Sequence, residues 1–480
     1  MLFNSFNFWI IFPFIFIVYW GIPSKFNRIR NVYLLIVSYI LYMNWKPTYA
    51  LILFGVTVVS YVGGRVLDSK EASKDRIKLC WIFVLLGSLP LLIFKYYNFL
   101  NTLITDGLVY LKVALYLPGL NWAIPIGISF FTLQSVGYVL DVYHQRIPVQ
   151  KDFLEYALFV SFFPQVTSGP ISTSKNLNPQ IQQVHVFRYD QFIVGAKMIL
   201  WGLFLKVVLA DRIGIYVDTV YLNYTHYSGA VCYFASFMYT IQIYCDFAGY
   251  SLLAIGIAKT IGFDLISNFE RPYFAASVTE FWKRWHISLT KWLTTHIYIN
   301  LGGNRCSKTR EYLNILMTFL VSGFWHGANY TFIIWGILHG VFQITEKTLW
   351  GDKIKKELRR EDNTISFIKV FRIVITFCLV SFAWVFFRMP TLSDSLSFLS
   401  KIVFEFGSFS VAPLDPISIT CLGLSLPILI LYDLRRELIL VYKFRMQENY
   451  LCRFGFYIII TSMILSMGVL DAGQFIYVSF

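Results

Sequence analysis

Apolar residues along this chain gather in long runs, near 6–22, 31–45, 48–62, 78–94, 122–140, 191–210, 228–257, 312–325, 330–345, 373–387, 417–432 and 454–470. Many stretches of 15 or more residues carry no charge, and each run approaches the ~20 residues that cross a bilayer as a helix. A shorter run, 153–163, is too brief for a comfortable crossing and reads as partial or re-entrant. The pattern predicts an all-α, polytopic integral membrane protein. About 10–13 transmembrane helices are expected, with interfacial or re-entrant helices between them. No Lys or Arg precedes the first run, so it lacks the basic start of a cleavable signal peptide and reads as a retained helix. No repeat, low-complexity tract or soluble domain interrupts the chain. The two least hydrophobic stretches, 165–189 and 258–311, are rich in aromatics, Gly and Pro rather than in linker residues.

Composition agrees: 57% of 480 residues are apolar and only 14% are charged, against roughly a quarter in soluble domains. The 41 basic and 27 acidic residues leave a net charge of +14. In a soluble protein that excess would suggest nucleic acid; here it reads as basic residues flanking membrane spans, with no nucleic-acid partner expected. Lys25, Arg28 and Arg30 mark one basic loop, and Arg65, Lys70, Lys74, Arg76 and Lys78 another; the alternate loops, with Lys46, Lys95 and Lys112, are poorer. The basic loops are expected in the cytoplasm, which places the N-terminus outside, and 353–360 and 435–453 are expected on the cytoplasmic side too. The seven cysteines are scattered without a CxxC pair, so neither a zinc site nor a disulfide framework is indicated.

The scarce polar residues inside apolar sequence carry the candidate chemistry. On a helix, segment 279–300 places Trp282, Trp285, Leu289, Trp292, His296 and Ile299 on one stripe, Arg284, Lys291 and Thr295 opposite it, and His286 on the flank. It reads as one amphipathic helix at the membrane interface, whose bland alternative is a lipid-surface anchor. The apolar run 312–325 ends in Gly323-Phe324-Trp325-His326-Gly327-Ala328-Asn329. An intramembrane histidine usually faces protein or a wet cavity, and burial favours the neutral imidazole that a general base needs; the alternative is a helix-packing bond. His339, in a second Gly-x-x-His-Gly, is 13 residues on, about 220° around a continuous helix. A joint site would need a break near Asn329, and His339 reads first as structural. The spacing of His286, His296, His326 and His339 matches no metal motif, and no metal is expected. Gln242, Asp246 and Tyr250 form a polar stripe at i, i+4 and i+8, either a polar path or a packing bond. Phe162 to Pro170 cannot be a regular helix, because Pro164 and Pro170 remove donors; such backbone at membrane depth must line a cavity or be covered by protein. No GxSxG, P-loop, GxGxxG or HExxH stands where it would work.

Taken together, Ser38-Tyr39 through Pro47, Phe94-Lys95-Tyr96, Pro125-Ile126-Gly127-Ile128-Ser129-Phe130-Phe131 through Tyr143, and Phe159 to Pro170 resemble the membrane-bound O-acyltransferase (MBOAT) family. So do Met1 to Tyr19, Gln242 to Gly256, the WKRWHISLTKW block, Leu301 to Arg305, GFWHGAN, Trp384 to Arg388 and Phe475-Ile476-Tyr477. The nearest branch is that of alginate O-acetyltransferase membrane subunits. The resemblance implies a single membrane-embedded domain over 1–480, a signature core of about 122–345, and helices around a central tunnel. His326 matches the family's essential embedded histidine and His286 the histidine of its first signature. The branch implies acetyl-CoA as cytoplasmic donor, a bacterial inner-membrane location in contact with membrane lipid, a periplasmic SGNH-type acetyltransferase partner, and a polysaccharide synthesis or export complex. The chain departs from the pattern at Thr294, Thr295 and Asn300, and has Leu252 where an acidic residue is usual.

The leading expectation is therefore a membrane O-acetyltransferase with His326 and His286 catalytic. Asn329, Asp246, Trp285, Trp325, Lys283 and Arg284 are its substrate-binding candidates, the basic ones toward the donor's phosphates. A transporter using Asp246 and the histidines as a relay predicts an inverted repeat, and none is seen. A non-catalytic scaffold would tolerate replacement of both histidines. Alginate, another exopolysaccharide, cellulose and peptidoglycan stay open as acceptors, with D-alanyl transfer to teichoic acid more distant.

Overall fold

A computed structural model describes residues 3, 5–69, 75–112, 118–359, 367–410, 414–440 and 450–469. Met1, Lys70, Lys74, Arg360, the 441–449 part of the second late basic stretch and the closing Phe475-Ile476-Tyr477 motif lie outside them. Every regular element among the described residues is helical. Seven of these helices are long and apolar enough to cross a membrane, or eight if the bent pair Phe6–Gly21 and Ser24–Met43 counts as one span.

The other apolar runs became helices of a different kind. Run 122–140 became Ile128–Tyr143, only 16 residues long and buried nearly throughout. Runs 312–325 and 330–345 lie in Lys308–His326 and Tyr330–Arg359, whose ends are polar. Run 191–210 does not stop at its last apolar residue. It continues into Tyr189–Leu222, passing through a π-helical stretch at Phe204–Ala210. Hydroxyls inside the spans are satisfied by the preceding turn: Thr57 donates to the Leu53 carbonyl and Ser60 to that of Val56, both at 2.7 Å.

The chain forms two compact units, 1–199 with 253–266, and 200–252 with 267–480. In the first, helix Phe6–Gly21 meets the next helical stretch at a bend of 103°. Arg30 holds that bend. Only 3% exposed, it is no loop cation: its guanidinium donates to the Ile22 carbonyl at 2.5 and 2.8 Å and to the His185 carbonyl at 2.6 Å, and lies over the rings of Tyr19 and Trp20. Charge-assisted bonds of this kind are roughly twice as strong as neutral ones.

The Pro164 break behaves as its sequence requires. Helix Phe153–Ser161 stops at Phe162, and a single turn, Phe163–Val166, carries the proline where its missing N–H costs nothing. The break releases the Phe159 carbonyl, which then accepts from Gln134 at 2.6 Å and Gln165 at 2.9 Å, while Phe163 N–H donates to Ser38. The segment is covered by protein: Phe162, Phe163, Gln165 and Ser168 are all buried.

Gly127, at φ 75°, lies so close to this turn that a Cβ there would stand 2.0 Å from the Val166 carbonyl oxygen. Gly127→Ala combines a left-handed alanine with that clash and is expected to cost at least about 2 kcal/mol. The check is the fraction of detergent-purified protein that stays monodisperse after heating; a curve equal to wild type would contradict it.

Candidate active site

The second unit carries both histidine motifs, and local backbone decides where each ring lies. Helix Val278–Arg284 opens with a capping box: Ser277 Oγ accepts from Glu280 N–H at 3.0 Å, and the Glu280 carboxylate reaches back to Ala276 N–H at 2.9 Å. The helix ends at Arg284. Trp285 is extended, and His286 takes the left-handed conformation, φ 41° and ψ 54°. A second helix, Ile287–Leu293, then leads into π-helical Thr294–Tyr298. The expected single amphipathic helix over 279–300 is thus broken at the histidine, and the stripe drawn through it loses its register.

Neighbouring backbone clamps the break. Asn268 accepts from Ile287 N–H through its carbonyl at 3.0 Å and from Ser288 N–H through Oδ1 at 3.2 Å, capping the second helix. Glu270 N–H donates to the Arg284 carbonyl at 2.9 Å. A left-handed non-glycine residue costs of order 1–3 kcal/mol. The result is a His286 ring that is fully buried, edge-on to Phe247 at 4.6 Å, and near Trp325 at 6.1 Å. Burial favours its neutral form.

The second motif forms a tight helical hairpin. Helix Lys308–His326 ends at the histidine, and Tyr330–Arg359 begins four residues later. A Cβ on Gly323 would stand 2.3 Å from the Phe332 carbonyl oxygen, and one on Gly336 would stand 2.4 Å from that of Phe319. Only glycines permit such an approach. The break near Asn329 that a joint site required is present, and it brings His326 and His339 to the same indole: each ring lies 5.0 Å from Trp335. His326 also meets Trp325 at 4.8 Å and Phe387 at 5.2 Å. Three buried histidines therefore sit in one aromatic cluster, with Trp325 between His286 and His326, and Trp335 between His326 and His339.

The remaining candidates divide. Trp325 belongs to this cluster; Trp285 supports it from behind, against Phe269, Phe281 and Trp384 at 5.0 to 5.4 Å. Asn329 is engaged elsewhere: its amide donates to the Pro390 carbonyl at 2.6 Å and its Oδ1 accepts from Thr331 N–H. Arg284, expected to face headgroups or phosphate, is instead tied to Glu280 at 2.5 Å and to both oxygens of Glu437 at 2.9 and 3.1 Å, with Arg271 on the same carboxylate at 2.8 Å. Asp246 pairs with Lys206 at 2.6 Å, and Lys206 also holds Asp211 at 2.7 Å. Among the described residues no three His, Cys, Asp or Glu side chains are grouped as metal ligands.

Lys283 is exposed, at the edge of a cleft of about 270 Å³ that also has Lys347, Thr290, Thr294, Ser322, Trp282 and Phe319 in its walls. Lys347 bonds Glu311 at 2.5 Å, whereas Lys283 forms no ion pair among the described residues. Trp282 and Phe319 touch His339 with their rings, at 5.0 and 6.1 Å, so the cleft ends one ring away from the cluster.

A profile of the membrane-bound O-acyltransferase family matches residues 144–389, a span that contains both histidine motifs. The "Probable alginate O-acetylase AlgI" of Pseudomonas aeruginosa is 35% identical over 410 residues, 84% of this chain and 75% of that protein. The chain belongs to the membrane-bound O-acyltransferase family. Other relatives differ in their named acceptors. The "Peptidoglycan O-acetyltransferase" of Helicobacter pylori is 33% identical over 78% of this chain and 73% of its own. The "Teichoic acid D-alanyltransferase" of Bacillus subtilis is 24% identical over 76% and 92%. This O-acyltransferase is accordingly a multi-pass membrane enzyme.

Several residues around the site were not singled out by sequence. Lys206 is a lone cation inside an apolar run, a signal in itself. Glu437, 153 residues from Arg284 and 166 from Arg271, gave none. Lys206→Met would strand two buried carboxylates, and breaking such a pair costs about 3–5 kcal/mol. The variant is expected to lose most of its heat-resistant folded fraction, while a triple variant that also carries Asp211→Leu and Asp246→Leu recovers it.

Proposed function

We propose that this membrane O-acyltransferase takes an acetyl group from acetyl-CoA on the cytoplasmic side and passes it toward an extracytoplasmic polysaccharide. In this reading the 270 Å³ cleft receives the donor's thioester arm, and Lys283 and Lys347 at its edge attract the donor's phosphates. The cleft is too small for a whole nucleotide cofactor and suits an extended arm, since sites for drug-sized ligands start near ~300 Å³. The single observation that carries the reading is the placement of His326: 3% exposed, at a helix end, in a ring-walled cluster that reaches the cleft wall through Trp335 and Trp282.

The chemistry follows from the groups present. His326 accepts the proton of an incoming hydroxyl as its oxygen adds to the thioester carbonyl. The C–S bond then breaks, the carbonyl reforms as an ester, and the proton passes from the imidazolium to the departing thiolate. His286, second in the cluster, holds Trp325 and through it the His326 ring. Dry aromatic walls exclude water, which would otherwise hydrolyse the thioester.

The positive-inside rule assigns the basic 65–78 loop to the cytoplasm. An inner membrane, a periplasmic acetyltransferase that completes the transfer, and a polysaccharide export complex complete the proposal. Names of relatives favour alginate or peptidoglycan as acceptor over teichoic acid, because their identities are higher.

The test is transfer of radiolabelled acetyl from acetyl-CoA by membranes carrying the full chain. His326→Ala is expected to lose about 10²–10⁴-fold in turnover; unchanged transfer would refute the base assignment. Lys283→Glu should raise the donor KM by about three- to tenfold with turnover at saturation kept. An unaltered KM would remove Lys283 from the donor mouth.

A further inference from the structure

The third histidine has no part in the chemistry above, yet its surroundings fix its proton. Trp282 Nε1–H donates to His339 Nδ1 at 3.2 Å. An indole N–H is donor only, so Nδ1 must carry a lone pair. The imidazole is therefore neutral with its proton on Nε2; an imidazolium would turn an N–H on Nδ1 against the indole. That Nε2–H is fully buried and has no hydrogen-bond partner among the described residues.

It is not the only such donor. Trp335 Nε1, on the indole that touches both His326 and His339, is likewise fully buried and without a partner, and so is Trp384 Nε1 on the ring stacked 5.7 Å from it. Buried polar groups are nearly always paired. Here aromatic walls hold several buried N–H donors without acceptors among the described residues, which is the complement of an oxygen that carries or gains negative charge. The cleft supplies the approach: Trp282 and Phe319 line it and also touch His339 with their rings, and Ser322, buried with its hydroxyl unpartnered among the described residues, lines it too.

We propose that His339 is a further catalytic residue of this O-acyltransferase, its Nε2–H donating to the acyl carbonyl oxygen as the tetrahedral adduct forms. The inference rests on the thioester-donor reading above. His326 and His339, both in contact with Trp335, then have opposite tasks, one taking a proton and the other offering a hydrogen bond. Trp282 is the positioning residue that sets the tautomer. The donor stays protonated throughout, so no proton is exchanged at His339 and the balance of the reaction is unchanged.

Full-length wild type, His339→Met and His339→Gln in nanodiscs, assayed for acetyl transfer from acetyl-CoA, test this. Loss of one preorganised donor typically lowers turnover 10²–10³-fold, so His339→Met should fall about 10²-fold in kcat with the donor KM within about threefold. His339→Gln, whose amide N–H stands in for Nε2–H, should keep kcat within about tenfold of wild type. The carbonyl stretch of bound [1-¹³C]acetyl thioester should move to lower frequency in wild type and His339→Gln but not in His339→Met. A His339→Met enzyme with wild-type kcat, an equal loss in Met and Gln variants, or a raised KM at constant kcat would each overturn the proposal. Wild type that transfers nothing from acetyl-CoA would overturn the donor reading and the inference together, whereas active wild type leaves the His339 variants to decide the inference alone.

Discussion

The close contact of helices Lys308–His326 and Tyr330–Arg359 is the constraint on which the site depends. At Gly323 and Gly336 each helix presses against a carbonyl of the other, with room for hydrogen and nothing larger. In a membrane no hydrophobic drive pulls helices together, and packing density does that work. The approach fixes the register of the hairpin, and the register fixes which residues meet Trp335. Two histidines that would point about 220° apart on a straight helix arrive at one ring because the chain reverses between them. Gly327 completes the turn: a Cβ there would enter the ring of Phe332.

Buried ion networks hold the other half of the site. Glu437 gathers Arg271 and Arg284, and Arg284 binds Glu280 as well. Since Arg284 stands two residues before His286, the network anchors the backbone that delivers the left-handed histidine. The Lys206 triad does similar work on Asp246, one residue before the Phe247 ring that meets His286. Such networks seldom add net stability, but removing one member leaves a charge unpaired in a dry interior. Their value here is geometric.

Much of this architecture is legible in the sequence. Uninterrupted apolar runs locate the long spans, the Pro164–Pro170 spacing announces a break, and His326 and His286 stand out because ionisable residues are rare in such surroundings. The break at His286 is not legible, because no glycine or proline marks it: the left-handed backbone is imposed by Asn268 and Glu270 from a separate segment. Arg284 reads as a solvated cation until Glu437, far along the chain, is placed beside it. His339 looks structural for a related reason, since its meeting with Trp335 and Trp282 depends on how closely two helices approach, which pairwise spacing does not encode. A run such as 122–140 gives a short helix, Ile128–Tyr143, wrapped by protein, which an apolar run does not distinguish from a lipid-facing one.

The Arg30 clasp bears on how the protein is made. One of its acceptors, the Ile22 carbonyl, lies eight residues away, but the other, at His185, is 155 residues downstream. At ~5–20 residues per second, synthesis of that interval takes roughly 8 to 30 s. For that time the guanidinium has only its local partners, the Ile22 carbonyl and the rings of Tyr19 and Trp20, to hold the bend between the first two helices. Assembly of the first unit is thereby ordered in time, with its earliest helices secured only after the chain around residue 185 has emerged.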